Sequence, residues 1–404
     1  MDTGLAALGF NTINLDAGYI YGRDATTGRL LVNQTRFPSG IRHLSDTLHA
    51  MNFRLGVYTD LSGHSCGDGP RTGSLGHYSL DAATFAHEWQ VDYLKVDFCG
   101  PAGFAPQCPN ASDPLCVSIE ADAQYTAWAS LRDALNATGR PIYYSICPHT
   151  QAAREGPARP FDLIYAPPTA WTASQRQALA NSLLVEYYNT MDSWDNFVDA
   201  AGIQRYGILT GMDAMVGATH LNYSVAGSWN DADMLMVCNY GAGAVPGGGM
   251  TLSEYRAHYA VWSILGSPLI LGNDVRALAR GEHADCLDLL LNSDIVGVNQ
   301  DPAAMPARLV WQSPRPSANS TSASVRAQCF ARPLSGGRLA VLLLNRAPSA
   351  LHLSVTWRQL QLPANQEYDV YDVLSRRAAG SARGSYAVHV ASHDVAFVIL
   401  GAHG

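Results

Sequence analysis

Tyr93-Leu-Lys-Val-Asp-Phe-Cys99 decides how this chain is read. A strand buried on both faces is expected to be almost purely apolar, yet this one carries Lys95 and Asp97 two residues apart. Period-two geometry puts both on one face and Leu94, Val96 and Phe98 on the other. Burying such charges costs several kcal/mol unless they pair, so their natural place is the polar end of a strand facing a cavity. A carboxylate beside an ammonium at a strand's C-terminal end is set up as a nucleophile. The competing reading is a structural ion pair.

Working outward, similar short apolar runs recur at Thr12–Asp16, Leu55–Asp60, Ile142–Cys147, Leu183–Tyr188, Tyr223–Gly227 and Pro268–Gly272. Helix-like stretches separate them, among them Ile41–Met51, Ala82–Trp89 and Ala121–Ala137 before Gly139. Strand–helix alternation at about 40-residue spacing predicts βαβ units and a parallel sheet, here a (β/α)8 TIM barrel. Seven strands are counted, and the missing one is expected to be the first. An open edge there would call for cover by another segment or by a partner chain, a homodimer mate or an assembly partner. After Val298-Asn-Gln-Asp-Pro302 the pattern changes. Leu339–Asn345, Leu351–Trp357, Glu367–Leu374, Tyr386–Val390 and Asp394–Leu400 predict a C-terminal antiparallel β-sandwich. The domains are therefore expected at 1–303 (barrel) and 304–404 (sandwich), with Ser313–Ser324 a surface loop.

Bulk properties narrow the function. Apolar residues make up 47% of the 404, and a formal charge of −8 without a basic run argues against nucleic acid. No apolar run approaches the roughly 18 residues that span a bilayer. Eight cysteines and sequons at Asn33, Asn110, Asn136, Asn222 and Asn319 predict a glycoprotein of the secretory pathway, extracellular or lysosomal/vacuolar. The thirteen histidines show no metal-ligand spacing, so neither a metal nor a cofactor is expected.

The strand ends of the expected barrel carry Asp16, Tyr58 with Asp60, Lys95 with Asp97, Cys147 with His149, Glu186 with Asn189 and Asp192, and Asp231 with Asp233. Carboxylates converging with aromatics suit sugar chemistry, the acids serving as nucleophile, acid and base and the rings as pyranose platforms. His149 reads equally as a loop residue, and one of Asp231 and Asp233 as a helix cap. Cys66 and Cys99 sit on one rim and are expected to be bonded, and Cys108 and Cys116 are spaced to close a small loop.

Asn14-Leu-Asp16, Thr35-Arg-Phe-Pro-Ser-Gly-Ile41, Leu55-Gly-Val-Tyr58-Thr-Asp60, Tyr93-Leu-Lys-Val-Asp97, Leu135-Asn-Ala-Thr-Gly139, Trp229-Asn-Asp-Ala-Asp-Met-Leu235 and Asn299-Gln-Asp-Pro302 occur in that order. By these motifs the chain resembles glycoside hydrolase family 27, the α-galactosidases and α-N-acetylgalactosaminidases. The resemblance spans nearly the whole chain. It implies a retaining glycosidase acting on terminal α-galactose-like pyranosides through a covalent intermediate on Asp97. It further implies a sugar subsite of Asp16, Tyr58, Lys95, Asp233 and Met234, a Cys66–Cys99 bond, and no metal.

Three departures stand against the family pattern. Ala17 replaces the second of two adjacent Asp residues, which is expected to weaken selection for galactose. Cys147-Pro-His149 replaces a Cys-Glu-Trp triplet, so the pocket at the sugar's 2-position is expected to be rebuilt. A gapless reading puts Asn189 at the acid/base Asp and Val185 at its Arg. Asparagine delivers no proton at neutral pH, a loss of about 10²–10⁴-fold in rate. Asp192 or Glu186 is expected to take over; the alternative is a catalytically impaired member serving as a glycan-binding or structural/assembly protein.

Overall fold

The computed structural model describes residues 3–66, 71–99, 114–147, 185–189, 197, 207–216, 228–242, 248–313 and 325–401, with only the backbone path given for 114–125, 185–189, 214 and 228. The chain divides into two compact units, one of Asn11–Tyr188 and one of Met1–Phe10 with Asn189–Gly404.

In the first unit, strands β1 (Thr12–Asn14), β4 (Arg54–Asp60), β5 (Tyr93–Asp97), β6 (Tyr143–Ile146) and β7 (Val185–Asn189) lie side by side in chain order. The β1–β4, β4–β5, β5–β6 and β6–β7 pairings are parallel. Helix Gly40–Ala50 joins β1 to β4, and helix Pro114–Ala137 joins β5 to β6. This is the alternation expected of a barrel wall. β4 buries every residue but Arg54, because a central parallel strand is covered on both faces. Gly56 is needed there: a Cβ would overlap Asn14 Oδ1 and the Tyr93 ring. Leu55, Val57, Leu94, Val96, Phe85 and Trp89 share one apolar core.

Three differences from the sequence reading have local causes. Helix Pro114–Ala137 starts seven residues before the expected Ala121, with Pro114 at its first position, where the missing N–H costs no bond. The stretch Ala82–Trp89 is a helix over Tyr78–Ala83 that widens into a π-turn over Thr84–Glu88. A hairpin of β2 (Ile20–Arg23) and β3 (Leu30–Val32) follows β1. Arg23 there is buried, pairs with Asp81 and donates to Gly28 O and Gly73 O, so its charge is fully engaged.

In the second unit, strand β8 (Ser228–Asp231) carries Trp229-Asn-Asp itself, and the expected Tyr223–Gly227 run lies outside the described residues. The expected run Pro268–Gly272 is reduced to one parallel bridge between Leu235 and Leu271. Helix Leu252–Leu265 is closed by a capping box of Thr251 and Glu254 and is buried almost all round. The sandwich has one sheet ordered β14-β13-β16-β11-β10-β9: β9 is Arg308–Gln312, β10 Ala327–Pro333, β11 Leu339–Asn345, β13 Glu367–Asp372, β14 Arg377–Arg383 and β16 Val395–Leu400. Facing strands β12 (Leu351–Thr356) and β15 (Ser385–Val390) complete it. Trp357, Leu343, Val355, Val398 and Leu400 fill its core. No helix among the described residues is long and apolar enough to cross a membrane.

Of the sequons, Asn33 and Asn136 are described. Asn136 is exposed on the last turn of its helix, and Asn33 is half-buried with Oδ1 accepting from the Thr35 and Arg36 amides. Asn110, Asn222 and Asn319 lie outside the described residues.

His258 gives a test of the second unit. It is fully buried against Trp262, and among the described residues neither ring nitrogen has a hydrogen-bond partner. Burial pushes its pKa from 6.5 down to about 3. The folded pKa is the depressed one, so below pH 6.5 the unfolded chain binds a proton that the native protein refuses. Stability is expected to fall with pH from 6.5 towards about 3, by up to about 1.4 kcal/mol per pH unit from this residue. Urea unfolding of wild type and His258→Phe at pH 7 and pH 4 should show that component gone in the variant.

Candidate active site

The parallel register of β4 and β5 sets Tyr58 opposite Lys95 and Asp60 opposite Asp97, on one face at the strands' C-terminal ends. Asp97, 6% exposed, has both oxygens held: Oδ2 accepts from Tyr58 Oη at 3.1 Å and Oδ1 from the Phe98 amide at 2.9 Å. These two donors fix the orientation of the carboxylate at the strand end. Burial, and then the charge of Asp97, push the Tyr58 hydroxyl far above its usual pKa, so it stays protonated and donating. Lys95 Nζ reaches across to Asp16 Oδ2 at 2.8 Å and lies 5.6 Å from the Tyr58 ring centroid. The sequence reading set the ammonium beside Asp97; it forms an ion pair with Asp16, a residue open to solvent. Asp16 Oδ1 also accepts from the Ala17 amide at 2.7 Å.

The rim above these strands is tied together. Cys66, from the loop after β4, is bonded to Cys99, directly after β5. Asp60 accepts from the Cys99 amide at 2.9 Å and from the Ser62 amide at 2.7 Å. Two carboxylates and two sulfurs thus come together, but sulfurs bonded to each other are no longer thiolate ligands. In β7, Val185 pairs with Tyr144, Glu186 with Ser145, and Asn189 closes the strand. Asp192, His149 and Cys108 lie outside the described residues. Cys147 is buried.

In the second unit the Trp229–Leu235 motif folds into a tight turn. Asp231 Oδ1 accepts from the Asp233 amide at 2.8 Å, and Asp233 takes φ 72°. A non-glycine residue in that region costs on the order of 1 kcal/mol, and here the turn is fixed from outside. Trp262 Nε1 donates to Asp233 O at 2.7 Å, and Ser267 Oγ accepts from the Ala232 amide at 2.8 Å. The helix-cap reading of this pair is corrected. Asp231 caps the turn, and the next described helix is capped by Thr251. Asp231 and Asp233 are buried, and Met234 is 36% exposed.

One disulfide escaped the sequence reading. Cys238, five residues past Asp233, is bonded to Cys286, 48 residues on. With eight cysteines, spacing alone does not reveal such a pairing.

A strand-end carboxylate held by a tyrosine and an amide, in a parallel βα array, is an arrangement that glycoside hydrolysis can use, and comparison with known proteins defines the class. Residues 1–301 match the family model described as alpha galactosidase A, and residues 325–400 match its C-terminal β-sandwich domain. An α-galactosidase of Cyamopsis tetragonoloba is 30% identical over 400 residues, covering 99% of this chain and 79% of that one. The crystal structure of α-galactosidase I from Mortierella vinacea superposes with TM-score 0.76 at 26% identity, over 98% of this chain and 89% of that one. An α-galactosidase of Saccharomyces cerevisiae shares the fold at 23% identity with TM-score 0.78, over 99% and 91%. The chain belongs to glycoside hydrolase family 27 and is an α-galactosidase-like enzyme, a (β/α)8 barrel followed by an antiparallel β-sandwich.

The Cys238–Cys286 bond closes a long loop, so replacing both cysteines by Ser is expected to cost about 2–4 kcal/mol. Denaturant unfolding of the double variant checks it; an unchanged midpoint would contradict it.

Proposed function

We propose that the enzyme hydrolyses terminal α-galactosides with retention, through a glycosyl ester on Asp97. The observation that carries this reading is the setting of Asp97 at the end of β5, with Tyr58 Oη and the Phe98 amide on its two oxygens. Tyr58 orients the carboxylate for attack on the anomeric carbon, and Lys95 with Asp16 offers a charged, hydrogen-bonding edge for the sugar's hydroxyls. Asp233 and Met234 are assigned as sugar contacts on the strength of the family resemblance.

Protonation of the leaving oxygen, and later activation of water, falls to Asp192 or Glu186. Asn189 has no proton to give at the pH of the reaction. The substrate is a carbohydrate, and no metal or cofactor is invoked. Export through the secretory pathway is supported by the disulfides Cys66–Cys99 and Cys238–Cys286 and by an exposed sequon at Asn136.

Turnover of p-nitrophenyl α-galactoside, followed by NMR of the first-formed sugar, tests the reading. Release of the α-anomer is expected, and release of the β-anomer would overturn retention. Asp97→Asn should lower kcat at least about 10³-fold, and Tyr58→Phe about 10–100-fold. Azide should restore turnover in whichever of Asp192→Ala and Glu186→Ala has lost the acid/base, since an external nucleophile needs no base in the second step. No turnover by the folded wild type on α-galactosides, β-arabinopyranosides or α-N-acetylgalactosaminides would return the chain to a glycan-binding role.

A further inference from the structure

Asp60 takes no part in the chemistry above, yet both of its side-chain oxygens are held by donors from two loops. It is the last residue of β4, fully buried, and directly opposite Asp97 in the register. Its side chain accepts three hydrogen bonds, from the Ser62 amide (2.7 Å), the Ser62 hydroxyl (2.5 Å) and the Cys99 amide (2.9 Å). Its carbonyl accepts a fourth, from the Ser74 amide at 2.7 Å. One residue therefore holds the start and the return of the loop after β4, and also the first turn of the loop after β5. The Cys66–Cys99 bond links those same two loops.

A passive anchor would not need a charge. Burial, and to a lesser degree the neighbouring Asp97, push the Asp60 carboxyl above its usual pKa, while the three donors from Ser62 and Cys99 work against that rise and favour the charged form. That charge lies close to another, since a carboxylate oxygen of Asp60 and one of Asp97 are within 4.8 Å. Around the pair stand Tyr58 from β4, Lys95 from β5 with Asp16 as its partner, and Tyr78 from the helix that follows, donating to Leu61 O. An asparagine in place of Asp60 would keep the shape and an acceptor for Ser62. Its amide would then face the Cys99 N–H donor to donor.

We propose that Asp60 is a positioning residue for hydrolysis, fixing the rim that holds Asp97 and placing a second negative charge beside it. The proposal rests on the reading of Asp97 as the attacking carboxylate. Geometry and charge separate in experiment. Losing the hold on Cys99 lets the rim drift, and a displacement of about 1 Å costs about 10²-fold in kcat. Losing the charge removes repulsion from the ionised site, so the acid limb of the pH–rate profile should move to lower pH by about one unit.

The test compares wild type, Asp60→Asn, Ser62→Ala and Asp97→Asn on p-nitrophenyl α-galactoside, with peptide mapping of the Cys66–Cys99 bond in each. Asp60→Asn is expected to keep the disulfide, lose about 10²-fold in kcat with KM little changed, and shift the acid limb downward. Ser62→Ala removes one donor and leaves the charge, so kcat should fall about 5–10-fold with the acid limb unmoved. An Asp60→Asn protein with wild-type kcat and pH profile overturns the proposal. A kcat loss with an unmoved acid limb also overturns it, leaving only a structural anchor. Should Asp60→Asn not fold, wild-type kcat in Ser62→Ala overturns it. Turnover retained in Asp97→Asn would instead sink the nucleophile reading, which separates the two failures.

Discussion

The hydrogen bond from Tyr58 to Asp97 depends on a single structural fact, the register of β4 against β5. A slip of one residue would turn Tyr58 and Asp60 into the apolar layer and bring Val57 and Thr59 to the site. Register is therefore held redundantly. Gly56 admits Asn14 and Tyr93 at close range, Tyr19 Oη donates to the Tyr58 carbonyl at 2.7 Å, and Asp60 grips the amide beyond β5. The same carboxylates that cost burial energy are the ones that collect donors, so chemistry and folding constrain each other here.

The second unit solves a similar problem with backbone strain. Asp233 is bent into a left-handed conformation, and three independent hydrogen bonds hold the turn around it. Trp262, which supplies one of them, belongs to a helix buried on nearly every side. That helix also meets the sandwich within this unit: Arg256 pairs with Asp394, Glu254 with His393, and Arg332 donates to Ser263 O. The sandwich thereby stiffens the helix that pins the turn.

Much of this was legible in the sequence, for physical reasons. Leu55–Asp60 and Tyr93–Asp97 read as strands because central parallel strands are continuously apolar until they reach a polar rim. Most sandwich strands read from their alternation, as at Leu351–Thr356, where Leu353 and Val355 point inward. What escaped lacked such a signal. β14, Arg-Ala-Ala-Gly-Ser-Ala-Arg, is an exposed edge strand paired with β13 and has no apolar face to display. β10 hides Gln328 and Arg332 inside, and the β2–β3 hairpin owes its Arg23 to a partner 58 residues away. At the site, the sequence put Lys95 and Asp97 on one face, but the reach of Lys95 to Asp16 is a long-range contact that no local pattern encodes.

The central claim is that Asp97 forms the bond to the sugar. Its most direct test is to trap that bond with 5-fluoro-α-galactosyl fluoride. The ring fluorine slows both steps and the fluoride leaving group speeds the first, so the glycosyl-enzyme accumulates. Peptide mass spectrometry should find one added fluorogalactosyl group on the peptide containing Tyr93–Cys99, absent in Asp97→Asn. Label on another carboxylate, or steady turnover with no labelled peptide, would contradict the account.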